Sequence, residues 1–355
     1  MPGSYVKLSP IITERRLVEP IWGGQRLAAW LGLPEPRPAR LGESWQVYDA
    51  NRIIAGEDLG LTLAELTREH GAALVGTRTT ARYGADFPLL AKFLDANDRL
   101  SIQVHPDDAY AHTHEAHSGF HGKTEAWYIL EATPDATVTY GLSRPSDREE
   151  FSAAVRAGTV EVLMGSLTVA PGDVVFVPAG TLHAINAGIV LFEIQQKSDL
   201  TYRVYDYGRR DAQTGQLREL HIERALDVSS LAPAAHGKVA PLSLVPGRDL
   251  LIACPYFALE RWGEQHGGHH ATDPGTFEIL TLIDGAADLR WDAGSLALAR
   301  GESVVLPASL GGWSLLPGAN GVTLLRVYVP DLQALAAEAR AVGHAAPRVA
   351  EAIRP

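Results

Sequence analysis

The run GDVVFVPAGTLHAIN, Gly172 to Asn186, restricts this chain more than any other stretch. Gly172 opens a β-rich segment. Pro178 and Gly180 then make a tight corner, because proline cannot donate to a central ladder and glycine accepts backbone angles that other residues avoid. Such a corner turns His183 back toward the inside of a small β-barrel. A buried imidazole needs a partner, and the rest of the chain must supply it.

Two earlier strands offer that partner. In Leu100 to His105 the alternation sends Ile102 and Val104 to one face and Ser101, Gln103 and His105 to the other. Thr124 to Leu130 is rich in β-formers and presents Glu125, with Lys123 just before it. One inward histidine is more often a hydrogen-bonded core residue than a ligand. The glycine, proline, glycine and histidine spacing of Gly172 to His183, however, resembles the second signature of the cupin family, and Gln103, His105 and Glu125 come from the matching first half of such a barrel. Four residues on two cupin-like segments imply a metal site of Gln103, His105, Glu125 and His183. Nitrogen and oxygen donors without thiolate suit zinc, and also manganese, cobalt, nickel or ferrous iron.

Composition narrows the class. The chain has 355 residues, 46% of them hydrophobic, enough for a large core and two or three domains. A net charge of -11 argues against a nucleic-acid surface, so an anionic substrate needs a local basic pocket. The single cysteine, Cys254, excludes an internal disulfide and fits a reducing cytoplasm. No apolar run approaches a membrane span, and the first residues lack the apolar centre of a signal peptide, so the expectation is a cytoplasmic protein.

Local signals place elements around these strands. Thr62 with Glu65 forms a capping box for a helix running to Val75. Asp107–Glu115 reads as a short helix after His105-Pro106, and Asp147–Ala157 as a helix packed outside the barrel. His112, His114, His117 and His121 read as solvent-facing. After the His183 turn, Ile189 onward alternates as a strand, and its continuation brings Asp199 and Arg203 toward one end of the barrel, four residues apart.

The stretches PLLAKFLDANDRLSIQVHPDD, GKTEAWYIL, VPAGTLHAI and QQKSDLTYRVYDYGR, with IWGG and GESW before them, resemble the type I mannose-6-phosphate isomerase (phosphomannose isomerase) family in order and spacing, covering most of residues 20 to 210. The length is that of the short bacterial forms. The sequence departs from the family at Gln46, where members carry an acid. The resemblance implies a metal-dependent aldose–ketose isomerase that interconverts mannose 6-phosphate and fructose 6-phosphate through a cis-enediol. It implies one zinc per chain on Gln103, His105, Glu125 and His183, and a substrate pocket lined by Lys92, Lys123, Asp199 and Arg203. Arg203 suits the developing enediolate, while Lys123 or a metal-bound water shuttles protons. Another metal-dependent cupin enzyme, such as an oxygenase or a different sugar-phosphate isomerase, and a non-catalytic sugar-phosphate-binding cupin are the alternatives.

The last third reads as a worn copy of the same barrel. Gly301, Pro307 and Ser309 repeat Gly172, Pro178 and Gly180, which sets Gly312 where His183 stood and removes the ligand. His266, His269 and His270 read as a polar loop, and Asp331 as the cap of a helix to Val342. The expected fold is all-β, a double cupin of two jelly-roll-like barrels with small α-helical additions. Its division is 1–226 for the metal-binding catalytic cupin, 227–248 for a linker and 249–355 for the degenerate cupin. A monomer or homodimer acting on a small sugar phosphate completes the expectation, with neither nucleic acid nor membrane as partner.

Overall fold

A computed structural model describes residues 7–210, 214–234, 237–265 and 267–355. The fold is all-β, a double cupin with small helical additions. Its two compact units are not consecutive in the chain: one is 17–44 with 92–239, the other 1–16 with 45–91 and 240–355.

In the unit of 92–239 alternation builds two sheets. One orders the strands Arg16–Val18, Glu43–Val47, Leu89–Ala96, Ile189–Gln196, Glu125–Ala132, Val174–Val177 and Lys238–Val239; the other orders Tyr202–Tyr205, Ile102–Val104, His183–Ile185, Thr137–Leu142 and Met164–Thr168. Trp127, Ile129, Val175, Val177 and Leu191 fill the inside. The opposite face of the second sheet, Ile102, Val104, Ala184 and Val204, packs against Phe151 and Val155 of the helix Arg148–Arg156 and Leu226 of the helix Ile222–Val228. Asp147 caps the first of these helices by accepting from the Glu150 N–H. Burying its Phe151 contributes roughly 1.5–3 kcal/mol, and Phe151→Ala would cost about 3–5 kcal/mol because a cavity is added to the lost transfer energy.

In the other unit the strands Leu242–Val245, Arg248–Ala253, Ala258–Glu264, Gly312–Tyr328, Glu278–Trp291 and Gly294–Ala299 form the main path; Gly268–Ala271 lies beside Gly312–Tyr328, and Ser303–Leu306 beside Glu278–Trp291. The two long strands shift register between Leu282 and Asp284 and again between Gly285 and Ala287, which lets a single pair bend and serve both faces of the barrel.

The segments 1–16 and 45–91 belong with this second barrel, which corrects their assignment to the first cupin. The Thr62–Glu65 capping box is present, but the helix ends at His70 because Gly71 takes a positive φ. Short helices Ala72–Val75 and Thr77–Tyr83 follow. The Phe277, Ala308 and Ser309 N–H groups donate to the carbonyls of Val75, Leu74 and Ala73, so backbone bonding ties these helices to the second barrel. A Cβ on Gly76 would lie 2.2 Å from the Thr276 nitrogen, which only glycine permits. Residues 227–248 are likewise not a free linker: Lys238–Val239 pairs with Val174–Val175 and Leu242–Val245 with Arg248–Leu250. Asp331 caps the helix Leu332–Ala341 as its sequence signalled, and the helix Ala346–Ala352, which no sequence signal announced, follows. No helix among the described residues is long and apolar enough to cross a membrane.

Candidate active site

Strand register gathers the site. Arg203 lies opposite Gln103, Gln103 opposite His183, and His183 opposite Tyr140, so four side chains form one row across four strands. Glu125 lies opposite Val177 on one side and Gln195 on the other. Gly180 takes the positive φ that its corner demands, and its N–H donates to the His105 carbonyl. The corner therefore ties the two histidines together through backbone as well as side chains.

Gln103, His105, Glu125 and His183 converge. His105 Nε2 is 3.2 Å from Glu125 Oε1, His183 Nε2 is 3.7 Å from Glu125 Oε2, and Gln103 Nε2 is 3.4 Å from His183 Nε2. Each imidazole uses its other nitrogen on a backbone carbonyl: His105 Nδ1 on Leu200 and His183 Nδ1 on Thr181, both at 2.8 Å. Those bonds place the proton on Nδ1 and leave both Nε2 lone pairs aimed at one point beside Glu125. Burial depresses both histidines, His105 to about 3 with Lys123 adding to the effect, so both rings are neutral. Burial would raise the Glu125 carboxyl, but Lys123 and the imidazoles outweigh it and hold it well below the usual carboxylate range. Two neutral imidazoles and a carboxylate, with ligand atoms within 4.8 Å of one another, fit a divalent ion, and the Lys123 ammonium and Gln103 amide nitrogen face the two Nε2 atoms in its place.

The cations around this cluster differ in their engagement. Lys123 Nζ stands 2.7 Å from Glu125 Oε1 and 3.3 Å from His105 Nε2, within the donor set itself. Lys92 is buried and held at 3.3 Å by both Glu43 and Glu193. Burial lowers its affinity for a proton, but the surrounding carboxylates outweigh that and keep it charged. Arg203 donates from Nη1 to the Glu219 carbonyl, and its Nε is buried without a hydrogen bond. Asp199 is exposed, and no ion pair joins it to Arg203 among the described residues.

Sequence reasoning missed Glu193 and Glu43. Glu193 lies opposite Trp127 on the strand that follows the metal histidine, and burial with the nearby Glu125 charge raises its carboxyl to about 7. The run LFEIQQ carried the signal, an acid in the middle of an apolar strand, where a charge without a role is expensive. A second histidine pair, His112 and His121 at 3.1 Å, sits beside Asp108 near the surface. The Asp108 carboxylate already accepts from the Gly122 N–H and the Gln196 amide, which answers its charge locally.

An inward carboxylate and two tautomer-fixed imidazoles on a cupin barrel define a metal-site enzyme of the cupin class. Comparison with known proteins narrows this. Residues 13–135 match the family described as phosphomannose isomerase type I, catalytic domain, and residues 248–328 match the mannose-6-phosphate isomerase cupin domain. A mannose-6-phosphate isomerase of Streptococcus mutans is 36% identical over 86% of this chain and 94% of its own length, and one of Bacillus subtilis is 36% identical over the same shares. The crystal structure of the Bacillus subtilis mannose 6-phosphate isomerase covers 90% of this chain and 99% of its own, with 33% identity and a TM-score of 0.80. A putative mannosephosphate isomerase of Archaeoglobus fulgidus, 22% identical with a TM-score of 0.73, shares the fold. The chain belongs to the type I phosphomannose isomerase family.

Proposed function

We infer that this protein is a metal-dependent aldose–ketose isomerase that interconverts mannose 6-phosphate and fructose 6-phosphate. The observation that carries the reading is the row of inward donors on Gln103, His105, Glu125 and His183 with Lys123 among them. Its family membership supports the same activity.

We assign Gln103, His105, Glu125 and His183 as the ligands of one zinc per chain, a set that other divalent ions also suit. When bound there, the ion would supply Lewis-acid polarisation of the substrate oxygens on C1 and C2, the carbons between which the proton moves. The chain's own groups supply the rest. We assign Lys123 to the proton shuttling, since it lies against the donor set. Glu193, with its affinity near 7, can take and return a proton at neutral pH. Arg203 carries the fixed charge for the enediolate. Lys92 lines the substrate pocket as a charge held in place by Glu43 and Glu193, and Asp199 is assigned to a sugar hydroxyl.

Arg209 and Arg218 both reach Asp206 near Arg203, so three guanidinium groups gather there, answered by Asp206, Asp98 and Glu219. We assign the 6-phosphate to this guanidinium cluster, where its binding energy would position the reacting carbons. Catalysis belongs to the barrel of 92–239 in this proposal, and the lone buried Cys254 fits a reducing cytoplasm. A monomer or a homodimer accommodates this reading equally.

A coupled assay of fructose 6-phosphate formation tests it. Turnover should require the phosphate and fall away after chelation. Equal kcat/KM for free mannose would defeat the phosphate reading, and oxygen consumption in place of isomerisation would point to a different cupin chemistry.

A further inference from the structure

The second barrel encloses a cavity of about 430 Å³. It lies at the end of the barrel where Glu278 begins its strand, and its walls include Arg248, Trp262, Glu264, His270, Trp313 and Arg326. The volume falls within the range of small-molecule sites. No metal explains it, since among the described residues no three His, Cys, Asp or Glu side chains of this barrel converge as those of the first do.

The wall chemistry selects a ligand. Both guanidinium groups are already answered: Arg326 lies bidentate on Glu278 and Arg248 bidentate on Glu260. Glu264 adds another carboxylate, so carboxylates outnumber cations around the space and a phosphate would be repelled. The aromatic wall is extensive. Trp262 and Trp313 are nearly parallel, with centroids 6.4 Å apart, and His270 contacts both rings. Aromatic faces carry negative charge density and attract the polarised C–H face of a sugar ring. The Trp313 indole N–H is buried without an acceptor, and His270 Nε2 makes no hydrogen bond although Glu264 stands 3.5 Å away. Buried donors left in that state are costly unless something else completes them.

We propose that the second barrel holds its own binding site for a neutral pyranose, a sugar without phosphate seated against Trp313 and hydrogen-bonded through His270 and Glu264. The site is separate from the isomerase centre and does not depend on that reading. In this proposal the barrel that lacks converging metal donors among the described residues has an aromatic and ionic lining in their place.

Methyl α-mannopyranoside, methyl α-glucopyranoside and methyl α-galactopyranoside are suitable probes, since their locked rings cannot open to serve as isomerase substrates. Titration of the full-length, metal-loaded protein, followed by saturation-transfer NMR with mannose 6-phosphate present in excess, should reveal saturable binding of at least one. His270→Leu and Glu264→Gln should each weaken it by about tenfold, the cost of one hydrogen bond to a polar ligand. His183→Ala should leave it intact, and isomerase turnover of His270→Leu and Glu264→Gln should match the parent. Binding of none of the three glycosides would overturn the proposal. So would binding that mannose 6-phosphate displaces, that His183→Ala abolishes, or that neither second-barrel substitution alters.

Discussion

The two barrels place ionisable groups at matching positions and answer their charge in opposite ways. In the first, Glu125 faces Val177 and Gln195 across its strand neighbours; in the second, Glu278 faces Leu306 and Tyr328 in the same pattern. Two residues back along the neighbouring strand stands Glu193 in the first barrel and Arg326 in the second. Beyond these, Lys92 pairs with Glu193, and Glu260 with Arg326, so the polarity is reversed. Arg326 closes on Glu278 through Nε at 2.7 Å and Nη2 at 2.8 Å, and the carboxylate there needs nothing from outside. Glu125 has two imidazoles and the single Lys123 ammonium beside it in place of a bidentate guanidinium. The barrels thus differ in which cation meets the inward glutamate: a two-pronged guanidinium closes on Glu278, whereas a single ammonium leaves Glu125 facing two imidazoles.

The largest effect that can break this comparison is expected from Arg326→Met. Removing Arg326 from the buried ionic cluster strands Glu278, while Glu260 keeps Arg248, and costs about 3–5 kcal/mol of stability. Denaturation midpoints should fall accordingly, while metal content and kcat of the folded fraction stay near the parent. Loss of metal in this variant would mean that the two clusters are not independent.

Arg203→Ala is the counterpart for a cation that acts on substrate. Loss of a preorganised electrostatic donor costs on the order of 2.7–4 kcal/mol in the transition state, roughly a hundred- to thousand-fold in kcat. Arg203→Lys should recover part of it, because a point charge does not copy a planar fork. Normal turnover with a lowered thermal midpoint would return Arg203 to a purely structural role.

His183→Ala should loosen the metal by at least the ~10–100-fold that even an outer partner's loss brings. Elemental analysis of the parent should find one divalent ion per chain, because among the described residues one fully buried group of converging donors is present, in the first barrel. Two ions per chain, or full retention in the variant, would dissolve the contrast between the barrels.

The mildest test is acidification. Burial would raise Glu260, but Arg248 and Arg326 together hold its carboxyl at about 2, against an ordinary 4.5. A depressed folded value means that the group's contribution is complete above about pH 5 and is lost as pH falls toward 2. Denaturant midpoints should therefore be flat near neutrality and decline in that acid window. In Glu260→Gln the decline should shrink, and an unchanged profile would show that other carboxylates set it.

Much of this was legible in the residues. Period-two alternation set Gln103 and His105 on one face, the glycine and proline corner aimed His183, and Thr62 with Glu65 announced its helix, because each depends on neighbours a few positions away. The double cupin, all-β with small helices, followed from two copies of the Gly, Pro and Gly or Ser spacing. What alternation could not settle was phase. The copy set Gly312 in place of His183, yet it is Trp313 that joins the interior cluster with Leu280, Leu306 and Leu315. His269 and His270, expected in a loop, lie in the strand Gly268–Ala271, with His270 opposite Trp313; His266 lies outside the described residues.

Tertiary structure alone decided which distant groups meet. Residues 45–91 read as part of the first cupin because they precede its strands, but carbonyls of Ala73, Leu74 and Val75 bond to strands and turns more than two hundred residues away, and sequence order carries no information about such closure. The same limit hid Glu193 and Arg326. A charged residue inside an apolar strand declares that it must be paired, since burial without a partner is prohibitive. Which charge pairs with it is fixed by the register of strands far apart in the chain, and that register gathers two imidazoles and Lys123 around Glu125 in one barrel and sets Arg326 on Glu278 in the other.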